Sequence, residues 1–479
     1  MDMKKVWTRL SKNLWIYISA LFISLFILSS VEAASPDFNG GVRNEYTYEE
    51  YVFLSGNPVK FSGKVTITEQ VQKSQLTKTY RFTLTNGGNK LSRSIAYVTN
   101  LEERTDKGQT TSQTSVKSYS ENITIENVTY TLDDYQLSQG TIIDNRPASD
   151  YYSGNVVGRK IYKTKTNDKI TVHFSGRNVG YENFWGATET QIIDYEIESS
   201  LGKSFITSKV SDSKTKVLKY EPHDPSLSSF TGGHSVISQQ NMIGEYSYDI
   251  PNGSGKSKTG TVHLNEEMLP IIERLIVPKF RDLTGHWAKD NIERLYSLGV
   301  FDESSQFFSP NTPMNRYEFT VGVLKSADIR VLEQPKKQRA PKKAIFTDLD
   351  PLDPNYLYIE SAFQKGVIKG VTASKFMPKS SLTRAQAVAI LVRALGLEER
   401  APNPGYQTNY ADNNTIPYWA KDSVYVATEI GLIHGDGRNR FNSNQTMTRA
   451  EASTLIIRFL NFLEKDLKQN YRDDMLFFQ

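Results

Sequence analysis

The chain has 479 residues, a formal net charge of +4 and no cysteine. That length is too great for one ordinary core and implies two or three domains, and the near-neutral charge excludes a strongly basic nucleic-acid binder. Without cysteine there are no disulfides, thiolate metal sites or thiol nucleophiles, so stability must come from packing alone.

The first stretch reads as an export signal. Lys4, Lys5, Arg9 and Lys12 precede an apolar run from Leu14 to Leu28, and Val31-Glu32-Ala33 offers small residues where a signal peptidase reads. Cleavage after Ala33 is expected, making residues 1–33 a signal peptide. The run of 15 residues falls short of the ~20 needed to span a bilayer, so no membrane partner is expected after cleavage.

Residues 34–265 are rich in Thr, Ser, Tyr and Asn. Segments 65–68, 79–84, 123–125, 128–132, 169–174 and 193–197 alternate apolar and polar residues as half-buried strands do. Asn86-Gly87-Gly88, Asn252-Gly253 and the stretch Gly253 to Gly260 mark turns, and polar residues 101–121 predict a long hairpin or loop. Alternation implies one wet face, so the expected fold is a β-rich, antiparallel, sandwich-like domain. Glu266 to Leu275 predicts a helix leading out of it.

Candidate chemistry in this region is thin. Asp194, Glu196 and Glu198 share one strand face through the period of two, a spacing suited to paired-carboxylate hydrolysis, but Ile193, Tyr195 and Ile197 between them put the acids on the wet side. Asp133, Asp134, Asp144 and Asp150 lack the spacing of a calcium loop. His173, His223, His234 and His263 lack metal-ligand spacing. Trp185 reads as a core anchor. No catalytic residue, metal site or cofactor is assigned.

The remainder is organised by a phrase written three times: Met314-Asn315-Arg316-Tyr317-Glu318, Leu382-Thr383-Arg384-Ala385-Gln386 and Met447-Thr448-Arg449-Ala450-Glu451. The arginines are 68 and 65 residues apart, a period that marks tandem units. Asn or Thr at the N-cap, Glu or Gln three residues on, and an apolar residue ahead of the cap predict a helix start with capping box and staple. An arginine at the first helical position opposes the helix dipole, so an anionic partner is expected, either an acidic residue or a ligand carboxylate. Upstream, Phe280-Arg281-Asp282-Leu283 with Trp287 and Gly299 matches Tyr410-Ala411-Asp412 with Trp419 and Gly431. The middle copy keeps Phe346-Thr347-Asp348-Leu349 and Gly366 but has Pro354 at the tryptophan position. Each unit reads as helix, glycine turn, extended loop ending in Phe308, Phe376 or Phe441, then a capped helix.

These units resemble S-layer homology repeats, which hold exported bacterial proteins on the cell wall. The resemblance covers residues 278–462 and implies an all-α, pseudo-threefold bundle whose inter-repeat grooves bind a pyruvylated secondary cell-wall polysaccharide. It implies that Arg316, Arg384, Arg449, Asp282, Asp348, Asp412, Trp287 and Trp419 line the grooves. A guanidinium can hold a pyruvyl carboxylate through two hydrogen bonds, helix-terminal N–H groups can add donors, and an indole can stack on a sugar face. The aspartates would accept sugar hydroxyls or pair with the arginines, or simply cap the first helix.

The Lys- and Arg-rich strap Glu333 to Lys343 links the first two repeats and Ala401 to Gly405 the next two. The apolar end of the tail, Met475 to Phe478, is expected to tuck into the bundle. The expected organisation is therefore multidomain: signal 1–33, β domain 34–265, repeats 278–330, 344–398 and 408–462, and tail 463–479. The expected function is non-catalytic display at the cell surface on a wall glycan. A wall-anchored polysaccharide enzyme is one alternative, and an adhesin or self-associating lattice subunit another.

Overall fold

A computed structural model describes residues 38–72, 74–222, 232–251, 257–301, 305–329, 344–402 and 407–476. The expected signal, His223, the strap 333–343, residues 403–405 and the tail's Phe477 and Phe478 lie outside them.

Fourteen antiparallel strands form one sheet. In chain order they are β1 (Val42–Arg43), β2 (Tyr48–Val52), β3 (Val59–Gln72), β4 (Gln75–Asn86), β5 (Asn89–Arg104), β6 (Gln109–Ile125) and β7 (Val128–Asn145). They continue as β8 (Ser149–Lys163), β9 (Lys169–Asn183), β10 (Gly186–Ser199), β11 (Gly202–Glu221), β12 (Gly233–Pro251), β13 (Ser257–Glu267) and β14 (Ile271–Arg274). Strands β1 to β13 each pair with their sequence neighbours, and β14 pairs with β12. Tight turns make this meander: Glu126 and Asn127 both take positive φ (49° and 71°) between β6 and β7, as a two-residue hairpin loop requires.

The sandwich expectation is thereby corrected. Alternation does produce one dry face, but among the described residues there is no second sheet for it to meet. The sheet curls on itself, and dry faces of distant strands meet across a barrel-like interior. Phe61, Phe82, Ile95, Ile123, Phe174, Ile193, Val210, Tyr246 and Leu264, from nine strands, form one buried cluster. No ladder joins β1 to β13. Side chains bridge that edge instead: Asn44 Nδ2 donates to Glu266 Oε2 at 2.6 Å and Leu269 N–H to Glu45 Oε1 at 2.7 Å. The helix expected over 266–275 is also corrected, because Glu266 and Glu267 end β13 and Ile271–Arg274 is β14. Pro270 lacks the N–H a helix needs there and clashes with the preceding turn. Residues 101–121 do form the long β5–β6 hairpin.

The carboxy-terminal region contains α1 (Lys289–Ser297), α2 (Arg316–Ser326), α3 (Tyr356–Gln364), α4 (Arg384–Ala394), α5 (Lys421–Glu429) and α6 (Arg449–Leu476). No described helix is long and apolar enough to cross a membrane. The all-α expectation needs correction. Where the repeats meet, the chain is extended, with β-bridges Pro313–Thr448, Asn315–Ser381 and Thr383–Thr446. Met314 N–H donates to Met447 O at 2.9 Å, Leu382 N–H to Met314 O at 2.8 Å, and Met447 N–H to Leu382 O at 2.9 Å. This closed ring of backbone bonds arises because each N-cap residue must leave helical φ/ψ. Asn315 (−88°, 156°) and Thr383 (−85°, 157°) are extended accordingly.

The sheet and the repeats share a core. Trp185, 1% exposed, joins Ala148 and Tyr181 in the same apolar cluster as Leu295, Phe319, Leu391 and Leu463. Its Nε1–H donates to Leu460 O of α6 at 2.8 Å. Tyr151 and Tyr181 hydroxyls donate to Asp466 Oδ2 at 3.0 and 2.7 Å, and Asn183 Nδ2 to Leu463 O at 2.8 Å. The β7–β8 turn meets the end of α4, where Ala148 N–H donates to Ala394 O at 2.9 Å. Gly396 there has φ +67°, and Arg146 packs where a Cβ would stand. Residues 463–467, expected as a tail, thus continue α6 under the sheet.

Candidate functional site

Each repeated phrase starts a helix where its capping residues predict. Thr383 and Gln386 form a reciprocal capping box, as do Thr448 and Glu451, and Asn315 Oδ1 accepts from Glu318 N–H at 2.7 Å. Staple residues Met314, Leu382 and Met447 are buried.

The arginines beyond those caps each reach into the next repeat. Arg316 lies over the Phe376 ring (4.7 Å) and donates to Lys369 O at 2.6 Å. Arg384 lies over Phe441 (5.4 Å) and donates to His434 O at 2.9 Å. Arg449 lies over Phe308 (4.3 Å) and closes the cycle by pairing with Glu318 of the first repeat. An aromatic face contributes attraction to each cation. Their environments differ in degree. Arg316 is 6% exposed, and burial, with Arg393 nearby, pushes its pKa down to about 10. Arg384 is half-buried and also shifted down by burial. The anionic partner expected for all three is an acid of the chain only for Arg449. Among the described residues no carboxylate pairs with Arg384 or Arg316.

The helix termini are not free donors. Arg316 and Tyr317 N–H groups donate to Ser380 O and Pro378 O, Arg384 and Ala385 to Gln445 O and Ser443 O, and Arg449 and Ala450 to Thr312 O and Pro310 O. The neighbouring repeat's loop has taken the groups that a ligand carboxylate was expected to use.

The three aspartates hold those loops. Asp282 accepts from Phe308 and Ser309 N–H (2.9 and 2.6 Å), Asp348 from Phe376 and Met377 (2.9 and 2.8 Å), and Asp412 from Phe441 and Asn442 (2.7 and 2.8 Å). Ser309, Met377 and Asn442 all have left-handed φ of 57–59°, a strained conformation that the paired bonds stabilise. Burial raises the Asp282 and Asp348 pKa values, but the two backbone donors outweigh it and hold both below the usual range. Phe308, Phe376 and Phe441 are buried beneath.

Trp287 and Trp419 are surface residues, 63% and 49% exposed. The turn Tyr418–Ala420 packs against α4, the helix begun by Arg384. The two departures from the repeat pattern meet in space: Tyr317, in place of alanine, donates its hydroxyl to Asp353 at 2.5 Å, beside the Pro354 that replaces tryptophan.

On the sheet, Asp194, Glu196 and Glu198 lie on the outer face. Thr207 Oγ1 donates to Asp194 at 2.6 Å, and Lys203 bridges Glu196 and Glu198. Asp133, Asp134 and Asp144 pair with Lys163, Arg159 and Arg146. No group of acids and histidines suited to a metal occurs among the described residues. Sequence reasoning missed the charges inside the barrel. Arg93 donates to Glu50 through two 2.7 Å bonds and to Glu121 at 2.8 Å, with Lys160 beside them. Their signal was a charge standing between apolar residues at i−2 and i+2, as Arg93 stands between Leu91 and Ile95.

Three tandem units whose capped helices interlock through arginine, aspartate and phenylalanine define a tandem-repeat protein. The profile of the S-layer homology domain matches residues 279–320, 345–388 and 409–453. The chain therefore carries three S-layer homology domains and is a protein of the cell surface. Similar proteins include an amylopullulanase of Thermoanaerobacterium thermosulfurigenes, 30% identical over 44% of this chain and 11% of its own length. The exoglucanase XynX of Acetivibrio thermocellus is 32% identical over 37% of this chain and 16% of its own. The surface-layer 125 kDa protein of Lysinibacillus sphaericus is 26% identical over 40% of this chain and 15% of its own. The chain thus spans less than a fifth of the length of these relatives.

Proposed function

We propose that the three repeats hold the chain on the cell wall by binding an anionic, pyruvylated secondary polysaccharide, and that the groove between the second and third repeats is the principal site. The observation that carries this is Arg384. Its guanidinium is half-buried, stacked on Phe441 and bonded to one carbonyl, with no carboxylate among the described residues paired to it and Trp419 exposed on the turn packed against its helix. A pyruvyl carboxylate can complete that guanidinium, and the indole can take the sugar face. The Arg449 groove takes ligand only by competing with Glu318, and Arg316 is buried, 6% exposed, and bonded to Lys369 O. Asp282, Asp348 and Asp412 act by shaping the loops. The sheet is a displayed, non-catalytic body whose outer acids are neutralised locally.

The test is capture of the full chain by purified sacculi with and without their acid-extractable polymer. A hydrogen bond to a charged group contributes ~1.5–3 kcal/mol, so Arg384→Ala should weaken capture at least tenfold, Arg316→Ala little, and polymer removal should abolish it. Equal losses for Arg316→Ala and Arg384→Ala would refute the ranking of the grooves. Capture on polymer-free sacculi would refute the ligand. Release of sugar from starch or β-glucan by the full chain would refute the non-catalytic reading.

A further inference from the structure

We propose that the barrel interior is a peptide-binding chamber, filled in this structure by the chain's own segment Phe38–Gly41. The segment precedes β1 and makes no ladder of its own, yet its oxygens are met by donors from three separate strands. Tyr195 of β10 donates its hydroxyl to Phe38 O at 2.7 Å, Tyr246 of β12 to Asn39 O at 3.0 Å, and Lys160 of β8 its ammonium to Asn39 Oδ1 at 2.6 Å. The Phe38 ring meets Tyr97 of β5 edge-on at 5.5 Å. Donors converging on successive peptide oxygens, with an aromatic subsite beside them, are how a protein reads a peptide.

The site is also larger than its occupant. A cavity of about 70 Å³ continues from Phe38 and Asn39 between Tyr51, Phe53, Ile123 and Phe174. Pockets that take ligands combine such apolar walls with a few placed polar groups. On its wall Glu50 and Glu121 balance Arg93 and Lys160, which favours an uncharged segment over an acidic or basic one. The passage out selects sequence as well. Gly40 has φ +79°, and a Cβ on Gly41 would stand 2.1 Å from the Tyr48 hydroxyl oxygen. The ligand class is therefore a short peptide with an aromatic residue, an amide residue and two glycines. The cis segment has an effective concentration no free peptide reaches, so the chamber opens to other peptides when that segment is weakened or displaced.

The experiment compares the full chain with its Phe38→Ala/Asn39→Ala variant, using a fluorescent peptide of residues 36–42 and reading anisotropy. The unaltered chain should not bind. The variant should bind, and Tyr195→Phe added to it should weaken binding about three- to tenfold. A peptide with alanine in place of Phe38, or of Gly41, should not compete. A variant that stays folded by circular dichroism but does not bind, or that binds a scrambled peptide equally, overturns the proposal. So does a variant that cannot fold, because the segment is then a piece of the core and not a ligand.

Discussion

Replacing Trp185 by alanine should separate two parts of the protein that now unfold together. The indole lies in the turn between β9 and β10, almost fully buried, and is packed edge-on against Phe184 at 5.0 Å. It belongs to the cluster that contains the α6 residues Leu460, Leu463 and Leu467, and its N–H bonds to Leu460 O. Truncating a buried Trp to Ala costs ~3–5 kcal/mol through lost burial and the cavity left behind. Phenylalanine at the same position keeps most of the apolar surface and loses the hydrogen bond, worth ~0.5–1.5 kcal/mol. Urea unfolding followed by far-ultraviolet circular dichroism measures the total. Tryptophan emission of the chain without residues 1–33, which hold Trp7 and Trp15, supplies the assignment, because Trp287 and Trp419 are exposed and the blue-shifted component then belongs to Trp185. The unaltered chain should lose sheet and helix signals at one midpoint. Trp185→Ala should show the repeat signal melting earlier than the sheet. A single coincident transition shifted by less than ~1 kcal/mol would refute the claim that this residue joins the two cores.

Two further outcomes follow from charges held in place by the fold. Glu189 of β10 faces Asp212 of β11 inside the barrel. Burial pushes Glu189 up to about 8 and Asp212 up to about 6, although Asn178 Nδ2 donates to Glu189 at 3.0 Å. Between the ordinary glutamate value and pH 8 the folded state holds a proton that the unfolded state has lost, so stability falls as pH rises through that window. Glu189→Gln should leave stability near pH 4 unchanged and raise it at pH 8 by roughly a few kcal/mol, and urea midpoints that keep the original pH slope would count against the buried acid. At Asp348, alanine removes both acceptors of the Phe376 and Met377 N–H groups. Each such bond contributes ~1.5–3 kcal/mol, and hydrogen exchange at those two amides should speed by at least tenfold. Asp348 titrates below the unfolded value, so this protection is present above pH ~4 and is lost as acid protonates the folded carboxylate. Exchange rates unchanged by the substitution would mean the left-handed turn at Met377 holds itself.

What could be read from sequence was local. Helix starts at Arg316, Arg384 and Arg449 were legible because capping is decided by residues within one turn. Strands were legible from alternation, and Trp185 as a buried anchor from its size and surroundings. Closure was not legible. Alternation at Ile193, Tyr195 and Ile197 fixes which face is dry but not what that face meets, and only the pairing of every strand with its sequence neighbours turns the sheet into a barrel-like curl. The error at 266–275 was avoidable, since Pro270 argued against a helix interior. For the arginines, the dipole argument demanded anionic partners, and the fold supplies an acid only to Arg449 among the described residues. The dipole alone could not distinguish Glu318, which pairs with Arg449, from the carbonyl of His434, which Arg384 meets with no direct carboxylate pair among the described residues. Both facts depend on how one repeat's loop meets the next repeat's helix.

The placement of the sheet decides whether anchoring and display interfere. Arg384 begins α4, and the β7–β8 turn docks at its other end, ten residues on at Ala394. At 1.5 Å per residue the two sites lie about 15 Å apart along the helix. On α6 the distance from Arg449 to Asp466, where Tyr151 and Tyr181 bind, is about 25 Å by the same rise. The grooves therefore occupy the amino ends of the helices and the sheet covers positions further along. On the proposed function, a glycan bound at Arg384 would leave the interface with the sheet untouched. The same geometry argues against testing wall capture with the repeats alone. Without the sheet, Leu460, Leu463 and the Asp466 carboxylate lose the side chains that cover them, and a failure to bind would report an unsupported α6 rather than a missing ligand.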